Sequence, residues 1–234
     1  MSPELKQKIQ ISLGAAILIA GIRTAYILYE RHEAAQPEVK KELPLNADYY
    51  VVPKKLHPYD LQSAKELTKQ PVWVKEGYRY TYYPYDHHHA DFKTEAGLLL
   101  PIEKLQITDV VTDATPGAPG QRQVMAVFEK DGKSYAFPIG SVQGTDYQIY
   151  SDEMLYIQDP HELYKHWTPE TWAAIEQHEV KPGMNELQAD FAIGMGIPER
   201  SSDPQVKTVN YPNGGHPMSV TYRDGKASEI RNGS

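Results

Sequence analysis

The longest apolar run in the chain, Ile9 to Tyr29 (IQISLGAAILIAGIRTAYILY), precedes a body in which apolar residues come only in short alternating or helical sets. At a rise of ~1.5 Å per residue this run forms a helix of ~31 Å, which matches the ~30 Å hydrocarbon core of a bilayer. The pattern predicts a transmembrane anchor over residues 9–29, behind a cytoplasmic tail (1–8) that carries Lys6 and Lys8. Arg23 lies inside the run. Its guanidinium either snorkels to the headgroups or meets a partner helix, which makes Arg23 the candidate membrane-partner contact. A cleaved signal peptide is the rival reading. It fits less well, because apolar residues resume at Ala25 to Tyr29 and the small-residue site Glu33-Ala34-Ala35 is distant and imperfect. Lys6 and Lys8 face Arg31, Lys40 and Lys41 across the span, so charge sets the orientation weakly. The expected location is the inner membrane, with the bulk of the chain extracytoplasmic.

Residues 30–46 are charged, hold two prolines and show no apolar period, so they read as a stalk. Asp48 to Val52 suggests a first strand, and Tyr59 to Lys69 a short helix. From Pro71 the period changes to two. Val72-Trp73-Val74 is followed by Tyr78, Tyr80 and Tyr82 with polar residues between them, and then by strands within Leu98 to Ala114. The clearest hairpin runs from Gln123 to Lys130 and from Lys133 to Ile139. Its Asp131-Gly132 pair suits a type I′ turn, whose positive φ angles match the twist of the strands. These elements predict a small, barrel-like antiparallel β domain over 47–158.

Asp159-Pro160 marks a boundary, and helical signals follow. Thr168 caps a helix with Pro169 at its first position, and Trp172, Ala174 and Ile175 form its apolar face. Asn185 and Gln188 form a capping box for a second helix, with Leu187, Phe191 and Met195 on its buried side and glycines 194 and 196 as the stop. Two strands close the chain, Gln205 to Tyr211 and Met218 to Ile230, the latter broken at Asp224-Gly225. The whole is therefore of the α+β class: anchor, stalk, β domain, and a two-helix domain with an antiparallel sheet over 159–234.

The order Val180, Gly183-Met184, capped helix, Gly196, Pro198, and a strand pair closing in Val220 to Ile230 resembles the BamE (SmpA/OmlA) family of envelope proteins. The likeness covers roughly residues 167–231. It implies two helices packed on a three-stranded antiparallel sheet, and a small non-enzymatic binding module of the kind known in outer-membrane protein assembly. Two features depart from the family. The helix between Gly183 and Gly196 is about two residues longer, and no cysteine is present for lipidation, which points to an inner-membrane anchor.

Composition narrows the chemistry. The absence of cysteine excludes disulfides, thiolate nucleophiles, zinc-thiolate sites, iron–sulfur clusters and covalent c-type haem. The chain has 24 Lys and Arg against 31 Asp and Glu, and the residues beyond the anchor carry 21 against 30, so nucleic acid is not expected as a partner. His87-His88-His89, flanked by Asp86 and Asp91, is the most conspicuous polar cluster. Adjacent residues on an extended chain point to opposite faces, so it reads as a solvated loop and no metal is assigned. His161 and His166 are five residues apart, which turns one imidazole ~140° from the other on a helix and defeats a shared zinc. Gly194-Met195-Gly196 lacks the preceding strand and the third glycine of a dinucleotide site. No nucleophile elbow and no phosphate loop occur, so no catalytic residue and no cofactor are expected. Trp73, Tyr78, Tyr80, Tyr82, Tyr83 and Tyr85 remain as a candidate binding face. The expected function is that of a scaffold or accessory subunit of a membrane-associated complex, with a cell-wall or glycan-binding module on the aromatic face as the alternative. Any small-molecule ligand is left open.

Overall fold

The computed structural model describes residues 14, 18–31, 46–77, 79–201, 203 and 205–233. They belong to two compact units, Met1–Asn46 and Ala47–Ser234. In the first unit residues 18–31 are helical (α1), and Arg23 is exposed on that helix. Among the described residues no helix is long and apolar enough to cross a membrane. Residues 9–13 and 15–17 of the expected anchor and 32–45 of the expected stalk lie outside the described residues.

The second unit is α+β with antiparallel sheets. Its first helix, α2 (Leu61–Ala64), begins at Asp60, whose side chain accepts from Ser63 N while the Ser63 hydroxyl accepts from the Asp60 amide; the helix then runs into a 3-10 turn, Lys65–Lys69. Strands β1 (Val72–Val74), β2 (Tyr80–Asp86), β3 (His89–Ala90), β4 (Gly97–Leu99), β5 (Lys104–Leu105), β6 (Ile107–Ala114), β7 (Gln121–Lys130), β8 (Lys133–Gln143) and β9 (Asp146–Ile149) follow. They build a sheet in the order β3-β2-β8-β7-β6, with β4 on β2 and β9 on β8, curled into a half-barrel. The hairpin at its centre forms as its turn residues dictate, with Lys130 paired to Lys133 and positive φ at Asp131 (52°) and Gly132 (71°). Strand β7 is buried on both faces: Val124, Ala126 and Phe128 enter the main core of the half-barrel, while Met125 and Val127 enter a smaller cluster behind it.

After α3 (Ser151–Met154) and β10 (Leu155–Tyr156) the chain forms α4 (Pro160–Leu163), α5 (Pro169–Glu176) and α6 (Glu186–Ile193). Thr168 Oγ1 accepts from Thr171 N, and Asn185 and Gln188 make both bonds of the capping box. Helix α6 ends where Gly194 takes φ 84°, a left-handed conformation that side chains disfavour. Met195 consequently falls beyond the helix and is 48% exposed, so it does not line the buried side expected of it. Strands β11 (Ile197–Pro198), β12 (Val206–Tyr211), β13 (Met218–Arg223) and β14 (Lys226–Asn232) make a four-stranded antiparallel sheet in sequence order. Trp172, Ile175 and Phe191 of the helices pack on Val209, Tyr211, Val220 and Tyr222 of this sheet.

A third sheet, β10-β1-β5, stands between these two parts. The pleat of β1 sends Val72 and Val74 into the half-barrel core and Trp73 into the C-terminal core. Its partner β10 does the same, with Leu155 on one side and Tyr156, paired to Trp73, on the other.

Asp48 to Val52 is not a strand. Ala47–Tyr50 forms a 3-10 turn instead, because the buried Asp48 carboxylate accepts from Trp167 Nε1 (2.7 Å), Asn185 Nδ2 (2.7 Å) and His166 Nε2 (2.6 Å). Three donors from distant segments fix this residue, and the extended pairing is lost to them.

Because Trp73 fills one core from a strand that also serves the other, Trp73→Ala is expected to destabilise the protein by roughly 3–5 kcal/mol. Urea unfolding should still show one transition by both tryptophan fluorescence and circular dichroism; two separated transitions would mean that β1 does not couple the cores.

Candidate functional site

The aromatic residues of the β region do not gather on one exposed face. Trp73 and Tyr82 are buried, at 9% and 8% exposure. Tyr82 packs edge-on against Phe128 and Tyr135, with ring centroids 5.5 and 5.1 Å away, and Tyr80 lies against the same core. Tyr83 and Tyr85 belong to the smaller cluster with Phe92 and Val111. Period-two alternation divides the set between two interiors, with Pro84 carrying the strand past Tyr135. Tyr78 lies outside the described residues.

The histidine cluster divides as well. His87 and His88 occupy the turn between β2 and β3 with positive φ, and the exposed His87 ring meets Asp86 at 2.8 Å. His89 is exposed too, and its Nδ1 lies 3.1 Å from Oδ1 of the buried Asp113. The buried Asp113 also accepts from the amides of Ala90 (2.6 Å) and Ala114 (2.7 Å). Burial works against its ionised form, yet those amides and the His89 ring hold its pKa below the usual carboxylate value. In the sheet order β3 and β6 stand at opposite ends, so Asp113 on β6 ties the two ends of the half-barrel together through β3. Among the described residues no three His, Cys, Asp or Glu side chains converge as metal ligands.

The residues that do converge are ones the sequence did not single out. Arg79 follows β1 by a short turn and reaches the loop after α6 and the loop after β12. Its Nη2 donates to Ile193 O at 3.2 Å and to Asn213 Oδ1 at 2.8 Å. A guanidinium has five N–H donors, so the one on Nε and the two on Nη1 remain without an acceptor among the described residues. Among the described residues no carboxylate faces it, and burial pushes its pKa below the usual arginine value. Around it lies a cleft of about 350 Å³ walled by Gly77, Gly194, Gly214 and Gly215, with Leu98, Met195 and Pro212 completing the lining. Gly214 has φ 61°, and a Cβ there would sit on Arg79 Nη1, so the loop approaches the guanidinium only because that residue is glycine. Arg79 and Asn213 are 134 residues apart, and no spacing rule announces such a pair.

Near the base of α6 a second feature escaped the sequence. Asp190 Oδ1 is buried and has no hydrogen-bond partner among the described residues. Burial first, and then the Glu186 charge one turn earlier, push its pKa up to about 7. Glu76 adds to this. The Tyr211 hydroxyl, itself 2.7 Å from that of Tyr222, and Lys207, which is held by Glu186, oppose it.

No protein-family model, characterised protein or solved structure matches the chain, so the site rests on its own geometry.

Asp190 makes stability depend on pH. Its folded pKa, about 7, exceeds its ordinary value of 3.8. Its contribution is therefore complete below ~pH 4 and is lost as pH rises through 7, a change on the order of 2–4 kcal/mol. Urea midpoints of the wild-type chain should fall from pH 5 to pH 8. Asp190→Asn should flatten this fall; an equal fall in the variant would place the titrating group elsewhere.

Proposed function

We propose that this chain is a non-catalytic, membrane-anchored envelope protein that serves as a scaffold or accessory subunit of a membrane-associated complex. The run Ile9 to Tyr29 holds it in the inner membrane with the N-terminus in the cytoplasm, and the unit Ala47–Ser234 works on the extracytoplasmic side. Its C-terminal layer is a BamE-like binding domain, a reading supported by the residues quoted above and by two helices packed on an antiparallel sheet.

The observation that carries this proposal is the Arg79 cleft. Its lining offers a cation with no counter-charge among the described residues, glycine backbone and aliphatic side chains. Among the described residues of the lining none is a nucleophile, and none is an acid or base that changes protonation near neutral pH. Such a surface recognises a group and leaves it unchanged.

Affinity purification of the full chain from membranes in mild detergent is expected to recover a membrane protein in stoichiometric amount. Arg79→Met is expected to lower that recovery by roughly tenfold, the cost of one charge-assisted hydrogen-bond set. Retention on peptidoglycan without a protein partner would replace this reading with that of a wall-binding module. In the same assay Arg23→Leu separates two roles for the anchor: unchanged recovery makes it a tether, and lost recovery makes Arg23 a contact.

A further inference from the structure

We infer that the Arg79 cleft takes the free C-terminal carboxylate of a partner polypeptide, with the aliphatic side chain of its last residue held between Leu98 and Met195. This rests on the cleft being the partner site of the proposed function, and it adds the chemistry of what enters it.

The charge balance of the cleft selects a monoanion. Arg79 supplies one positive charge, and the described residues of the lining include no second Lys, Arg or His. A phosphate dianion would leave charge uncompensated in a partly dry site. A carboxylate carries one charge, and one of its oxygens can accept from the Nε–H, which neither Ile193 O nor Asn213 Oδ1 uses.

The guanidinium is also placed in advance. Both hydrogens of Nη2 are engaged, to Ile193 O and Asn213 Oδ1, and glycine at 214 lets the loop close on Nη1. An incoming anion therefore meets a donor whose side-chain entropy is already lost, which lowers the cost of binding.

The walls select what is attached to the carboxylate. Leu98 of β4 is 40% exposed and Met195 of the loop after α6 is 48% exposed, both on the lining. They come from the two different parts of the unit and leave an apolar gap beside the cation. A cavity of about 350 Å³ stands at the small end of ligand sites, which run from ~300 to 1,000 Å³. It has room for a terminal residue and little more, while the rest of the polypeptide continues into solvent. Capture of a chain-terminal carboxylate by a local cation and open backbone is an established mode of peptide recognition.

The test uses the full chain in mild detergent with N-acetyl-Gly-Gly-Leu as the probe, offered as the free acid and as the C-terminal amide. Hexanoate and inorganic phosphate serve as comparison anions. The acid is expected to bind at least about tenfold more tightly than the amide, hexanoate more weakly than the acid, and phosphate not at all. Arg79→Met should abolish the preference for acid over amide. Met195→Glu changes an exposed side chain and places a carboxylate at the rim, so it should weaken the acid more than the amide and narrow the preference between them.

Equal binding of acid and amide, or no binding of either, overturns the inference. Hexanoate binding as tightly as the peptide overturns it in favour of a free monocarboxylate, and tighter binding of phosphate overturns the charge assignment. The parent reading is judged separately, by partner recovery. Arg79-dependent recovery together with equal acid and amide binding leaves the accessory-subunit reading standing and removes the carboxylate. Acid-selective binding with recovery unaffected by Arg79→Met keeps the carboxylate and removes the cleft as the partner site.

Discussion

Everything in the unit Ala47–Ser234 depends on the pleat of a three-residue strand. Val72 and Val74 point to one side of β1 and Trp73 to the other, and each side is the interior of a different layer. A strand at the surface of either layer would leave one of those faces wet. Between them it buries both, and Tyr156 and Leu155 on β10 repeat the division one strand over. The half-barrel and the helix-covered sheet thus share a wall, and neither can shed the other without exposing large apolar side chains to water. The cleft at Arg79 follows from this sharing. The chain leaves β1 at the junction, and the residues immediately after it lie where the loops of both layers meet.

Three acidic side chains in this unit show how the same burial gives different outcomes. Asp48 receives three donors and Asp113 receives three, so each is solvated by the protein in place of water. Asp48 pins the entry of the chain against Trp167 and Asn185. Asp113 joins the ends of a curled sheet that would otherwise expose two edges. Asp190 has an oxygen with no donor and two acidic neighbours, and it responds by holding its proton to higher pH. Arg79 is their counterpart in sign, a partly buried cation whose hydrogen bonds among the described residues go to neutral oxygens. A group left in that state retains donors for something that arrives from outside.

Much of the local structure was legible because its causes are local. Asp131-Gly132 dictated a turn with two positive φ angles, Thr168-Pro169 and Asn185 with Gln188 dictated helix starts, and Asp224-Gly225 dictated the last hairpin. Where the sequence misled, a distant partner outweighed the local preference. Asp48 to Val52 reads as a strand by composition but is held as a turn by residues more than a hundred positions away. Met195 continues the apolar spacing of α6, yet the turn at Gly194 places it on the surface.

The sequence by itself determined the class of the fold, the positions of its turns and caps, and the apolar run that precedes them, because periodicity and turn chemistry act over a few residues. It also presented three histidines as a solvated loop, and they are exposed, and a row of tyrosines as a surface. Tertiary structure decided otherwise for the tyrosines, which the pleat divided between two interiors, and the curl of the sheet added the contact between the exposed His89 ring and Asp113. Tertiary structure alone made the cleft, since Arg79, Ile193, Asn213 and Gly214 meet only when two layers close on a common wall. The physical reason is one of range. Hydrogen bonds within a turn are encoded by neighbours, whereas the position of a charge relative to loops far along the chain is set by the packing of cores that no short stretch of sequence contains.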